Sequence, residues 1–155
     1  MKYRRLTDIE LGKLENSFIQ FLVANTITGD DWAKIKVEKP DEALKLIDIF
    51  SEMMFETSLR KIEYLKFSEP KDIKIFQCGA ESMTLMVLAA DDKTPVDFTQ
   101  PFDTKQIMQY TEGLSIYRSE KIYTGNREQE LFKMLESGCL ITDGLLFGML
   151  EQLYQ

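Results

Sequence analysis

The stretch LFKMLESGCLITDGLLFGML, residues 131–150, sets Cys139 beside a glycine and Asp143 four residues beyond it. A thiol there does nucleophilic chemistry only when something lowers its pKa, usually a paired histidine or a helix N-terminus. The chain has no histidine. That excludes a Cys–His pair and a Ser–His–Asp triad, and removes the commonest general base and transition-metal ligand. A helix-terminus route stays open for Cys139, since a helix can begin near Thr142. Against it, "CLI" is three apolar residues in a row, and free cysteine is among the most buried residue types. Cys139 therefore reads as a buried spacer where the chain reverses, and Cys78, before Gly79, as core. Two cysteines far apart make neither a disulfide framework nor, by themselves, a structural zinc site.

Oxygen chemistry is what remains, with Mg²⁺ or Ca²⁺ held by carboxylates. Asp91, Asp92, Asp97 and Asp103 fall in an irregular segment, but without calcium-loop spacing or a companion glycine, so a solvated acidic loop is the simpler reading. Asp30 with Asp31, and Asp41 with Glu42, sit where helix caps explain them. Nothing resembles GxGxxG or GxxxxGK[ST], so no loop is built to cradle a phosphate. Lys61, Lys66, Lys71 and Lys74 fall on neighbouring predicted strands and suggest a modest basic face. Lys2, Arg4 and Arg5 form a small basic cluster at the start. The 26 acidic side chains outnumber 19 basic ones for a net charge of −7, which opposes contact with nucleic acid or an anionic membrane.

The final helix carries the positive hint of function. Gly144 and Gly148, four apart, share one helical face and invite close packing, which would offset a cost on the order of 1 kcal/mol per glycine relative to alanine. With Leu145, Phe147, Leu150 and Leu153 they form a candidate interaction face, for this domain's own sheet or for another chain. Trp32, Phe98 and Phe102 can serve either purpose.

The elements that must position these residues follow from periodicity. Thr7 with Glu10 is a capping box, and Leu11, Leu14, Phe18, Phe21 and Leu22 predict an amphipathic helix over 7–25. Thr28 with Asp31 caps a second through "DDWAKIKVE". Pro40 suits the first position of a third, roughly 40–58. There Ala43, Ile47, Phe50 and Met54 form a stripe that Leu44, Ile49 and Met53 widen, as for a helix covered on two sides. "RKIEYLKF", "KDIKIFQC" and "MTLMVLA" predict three strands of an antiparallel meander. Residues 91–113 are irregular, with a short helix capped by Asp103. "LSIYRSEKIY" predicts a fourth strand that can join either edge. "TGNREQELFKMLES" predicts a helix stopped by Gly138, and "DGLLFGMLEQLYQ" a last apolar one. The expectation is a single α+β domain over 1–155: helical 7–58, sheet 60–123, helical 126–154, with the C-terminal helices on the sheet. No apolar run approaches the ~18 residues of a spanning helix. The charged start lacks a signal peptide's apolar core, so the cytoplasm is the expected compartment.

The strings "MKYRRLT", "FLVANTITGDDWAKIK", "KIEYLKFSEPKDIKIF" and "SGCLITDG" span nearly the whole length. Through them the chain resembles an uncharacterised family of small bacterial cytosolic proteins, a domain of unknown function. The resemblance implies a bacterial, cytoplasmic, stand-alone domain and brings no site residues. The first functional expectation is a non-enzymatic protein, without cofactor, that binds a protein partner or itself. The second is an enzyme or small-ligand binder with a carboxylate-lined pocket near 91–113, with Mg²⁺ as its cation. The third is weak nucleic-acid binding through the lysines and the basic N-terminus.

Overall fold

The computed structural model describes residues 1–154. The described residues form an α+β fold with seven helices and one antiparallel sheet of five strands, and the chain divides into two compact units, Met1–Arg60 and Lys61–Gln155.

The first unit is helical: α1 Asp8–Lys13, α2 Glu15–Ala24, α3 Gly29–Glu38 and α4 Pro40–Arg60. Both expected capping boxes form. The Thr7 hydroxyl accepts from Glu10 N–H at 3.2 Å while Glu10 Oε1 accepts from Thr7 N–H at 2.8 Å. Thr28 and Asp31 repeat the exchange at 3.1 Å each way. The helix expected over 7–25 is in fact two, because Leu14 leaves helical geometry at φ −107° and ψ 21°. Periodicity does not register that break, since Leu11, Leu14 and Phe18 still pack on the cluster of Leu6, Phe21, Leu22 and Phe50. Phe18 meets Phe50 and Trp32 edge-on, with centroids 5.0 and 5.1 Å away. Along α4, Ala43 and Phe50 are buried, whereas Leu44, Ile49 and Met53 are exposed. The helix is thus not covered on the side those residues occupy, and its wide apolar stripe overstates its burial.

The second unit holds β1 Tyr64–Ser68, β2 Asp72–Cys78, β3 Ser82–Ala90, α5 Thr104–Ile107, β4 Leu114–Ile122, α6 Arg127–Glu136, β5 Leu140–Thr142 and α7 Leu145–Leu153. The meander forms as expected, except that its first strand begins at Tyr64 because α4 runs to Arg60. The sheet has five strands where four were expected, in the order β4-β3-β2-β1-β5. β4 joins the β3 edge, and β5 adds a three-residue ladder to β1. Register places Ile73 opposite Leu88 and Ile75 opposite Met86. That face forms one core with Phe98, Ile107, Phe147 and Leu150, so α7 lies against the sheet. Side chains alternate between faces, so Leu65, Cys78 and Met83 fall on the opposite face, where they too are buried.

α6 ends as Gly138 implies. Its φ is +109°, a left-handed conformation that costs glycine little. Gly138 N–H donates to Leu135 O and Cys139 N–H to Met134 O, at 3.1 and 3.0 Å. The two bonds make a Schellman motif and satisfy carbonyls that the helix end would otherwise strand.

Candidate functional site

Beyond β5 the chain passes Asp143 and Gly144 and starts α7, whose first residues stand across from the 98–104 segment. Between them, over the sheet face that carries Ile73 and Ile75, lies a cavity of about 680 Å³. Its apolar walls come from Ile73, Ile75, Phe98, Phe102, Leu145 and Leu146. Phe98 and Phe102 brace each other edge-on, with centroids 5.4 Å apart. Polar groups share the wall with them. Lys66 and Ser68 come from β1, Thr142 and Asp143 from β5 and the turn after it, and Thr99, Gln100 and Thr104 from the covering segment.

Lys66 is the distinctive one. Register sets it in the cross-strand row Leu140–Lys66–Ile75–Met86, where both of its direct neighbours are apolar. It is half-buried, and among the described residues its ammonium has no hydrogen-bond or ion-pair partner. Ser68 and Thr142 share its face of the sheet, and their hydroxyls likewise have none among the described residues. Asp143 is the one carboxylate at the wall. Its Oδ1 accepts from Leu145 N–H at 3.1 Å, which places the charge at the positive end of α7.

The other lysines do not form a basic face with it. Lys74 points to the opposite side of the sheet and pairs with Glu69 and Asp72 at 3.6 and 3.8 Å. Lys71 Nζ donates to Thr94 O and Val96 O at 2.7 and 3.2 Å. The basic N-terminal cluster is also occupied within the chain. Arg4 pairs with Glu10 at 2.7 Å, Arg5 with Asp48 at 2.6 Å and Lys2 with Glu56 at 3.9 Å.

The aspartates of the irregular segment organise their own turns. Asp91 Oδ1 accepts from Lys93 N–H, Thr94 N–H and the Thr94 hydroxyl. Asp97 does the same for Thr99, and Asp103 caps α5 through Lys105 N–H. Asp97 and Asp103 line a hollow of about 210 Å³, and Asp91 and Glu112 line another, of about 560 Å³, in the same segment. No group of three or more metal-ligating side chains comes together among the described residues, and Asp143 is the one carboxylate at the wall of the 680 Å³ cavity.

Within the candidate face, Phe147 and Leu150 are spent on this unit's own core. Leu145, at the mouth of the cavity, and Leu153 are 79% and 51% exposed. The glycines differ from expectation. Gly144 is the N-cap rather than a helical residue, and a Cβ there would lie 2.7 Å from the Tyr64 ring. At Gly148 a Cβ would meet nothing within 4 Å. The close approach is therefore at the first glycine only, made by a ring rather than by a backbone.

Both cysteines are buried. Burial pushes the Cys78 thiol up to about 11 and raises that of Cys139, the reverse of what a nucleophile needs. Arg127 is a feature the sequence reading missed. Its guanidinium donates to Ile62 O, Cys78 O and Gly79 O at 2.6, 3.1 and 2.9 Å, tying the start of α6 to the segment that leads into β1 and to the end of β2. No helix among the described residues is long and apolar enough to cross a membrane.

A family model described as a family of unknown function (DUF6495) matches residues 1–155. No curated protein and no solved structure matches the chain.

Proposed function

The chain belongs to that family of unknown function, and we propose that it works by binding a small organic molecule in the cavity between β1, β5, the start of α7 and residues 98–104. The observation that carries this reading is the cavity itself. At about 680 Å³ it falls inside the roughly 300–1,000 Å³ of small-molecule sites, and its wall combines apolar side chains with hydroxyls, an amide and two opposite charges. The irregular segment that supplies one wall fits a functional loop, since long irregular stretches in compact domains often are. A thermal-shift panel of small organic compounds tests the reading, run on the protein and on Ser68→Phe, which sends a ring into the cavity from β1. Compounds that raise the melting temperature of the first and not of the second are the expected result. A panel in which no compound separates the two defeats it.

The open edge of β5 favours a second reading, contact with a protein partner or with another copy of this chain. The sheet's other edge, β4, exposes Arg118, Glu120 and Lys121, the kind of charge that deters edge-to-edge pairing. β4 also exposes Tyr117 and Ile122, but β5 carries no charge among its three residues and exposes Leu140 and Ile141, at 61% and 63%. Ile141→Lys would guard that edge. If the protein self-associates there, light scattering finds a larger mass for the unaltered chain and a monomer for the variant; equal masses exclude self-pairing through β5.

A further inference from the structure

We infer that the cavity's ligand is an organic anion, a monocarboxylate with an apolar body whose charged end meets Lys66; this rests on the ligand-binding reading above. The argument is one of charge balance. The wall carries two charged side chains, Lys66 and Asp143. Asp143 is already answered, because it accepts from Leu145 N–H at the first turn of α7, where the helix dipole favours a negative charge. Lys66 is answered by nothing among the described residues. Its row neighbours Leu140 and Ile75 are apolar, so the stem packs and the ammonium is left at the cavity's wall.

A cation at the cavity wall without a counter-charge among the described residues is a ready partner for a bound carboxylate. The unpartnered hydroxyls of Ser68 and Thr142 lie on the same face and can donate to the same carboxylate. Beyond that polar end, Phe102, Leu145 and Leu146 offer apolar surface beside Thr99, Gln100 and Thr104, which suits a body that is mainly aliphatic or aromatic. A lysine here is also a fit to a single carboxylate rather than to a bidentate clamp, which would call for arginine.

The test is calorimetric titration with octanoate and with 1-octanol, which share a chain and differ in charge. Lys66→Met, Lys66→Arg and Ser68→Phe are compared with the unaltered protein, each first checked for folding by circular dichroism. Expected is octanoate binding that falls at least about tenfold in Lys66→Met, the weight of one charge-assisted hydrogen bond. Lys66→Arg retains it and Ser68→Phe abolishes it, while octanol binds more weakly and does not respond to Lys66→Met. Octanol binding as tightly as octanoate, or octanoate indifferent to Lys66→Met, overturns the anion while leaving the cavity reading standing. Octanoate binding that survives Ser68→Phe is adsorption elsewhere and overturns the inference too. Failure of octanoate to bind at all does the same, and the compound panel then judges the cavity reading alone.

Discussion

At the scale of single residues, the polypeptide holds one backbone choice that its side chain resists. Thr26 follows α2 with φ at +59°, in the left-handed region that a β-branched residue enters at a cost of roughly 1–2 kcal/mol. The geometry is imposed by a second Schellman motif. Ile27 N–H donates to Leu22 O and Thr26 N–H to Val23 O, both at 2.9 Å, while Ile27 and Leu22 join the same apolar cluster. Thr26→Gly relieves the strain and gives back about 0.5–1 kcal/mol of that in unfolded-chain entropy. The expected net effect is a stabilisation of about 0.5–1 kcal/mol, read from urea unfolding. A destabilised variant would mean that the Thr26 hydroxyl, which donates to Asn25 O at 2.7 Å, contributes more than the strain costs. Gly138 occupies the equivalent place after α6 with the residue the conformation prefers. α2 ends at Ala24, where a helix over 7–25 was expected to end, but Thr26 gives no sign in the sequence of the conformation it adopts.

At the scale of elements, the N-terminal segment is held to α4 by a residue whose sequence context gives no warning. Ser51 sits in the middle of α4 and is fully buried. Its hydroxyl donates to Ile47 O at 2.7 Å and accepts from Leu6 N–H at 2.9 Å. Ser51→Ala strands a buried amide, for which a loss of about 1–3 kcal/mol is expected; a change below about 0.5 kcal/mol in the same unfolding experiment would show that water reaches Leu6. Strong periodicity and capping made α3, α4, α6 and the meander readable, because each announces itself within a short window. Ser51 is invisible to such a window, since its partner lies 45 positions away. β5 escaped for a related reason. Three residues are too few to show alternation, and Leu140 and Ile141 owe their strand to pairing with Lys66 and Leu65. The cavity was half legible: residues 91–113 stood out as irregular, but neighbouring lysines look alike until register separates Lys66 from Lys74.

At the scale of the whole molecule, the net charge of −7 conceals how many carboxylates hold local structure. Arg4 beside Glu10, with Thr7 N–H, takes that carboxyl from its ordinary value down to about 2. The Arg5 side chain lowers Asp48, Thr28 N–H lowers Asp31, and Thr94, Thr99 and Thr124 lower Asp91, Asp97 and Glu130. All are depressed in the folded state, so the unfolded chain binds more protons as pH falls. The stability they contribute is present above the unfolded values near ~4 and is lost as pH falls through the depressed folded values, about 2 in the case of Glu10. Thermal melts should therefore be nearly level from pH 7 to 5 and fall steeply below pH 4, where the 19 basic side chains also begin to repel one another unopposed. Glu10→Gln removes one such group and should flatten the slope between pH 4 and 2 while lowering stability at pH 7. Because Arg4 and Glu10 are both more than a third exposed, added salt screens their pair and shrinks that difference. A slope that Glu10→Gln leaves unchanged would place the acid sensitivity in the other carboxylates, the turn-forming aspartates first among them.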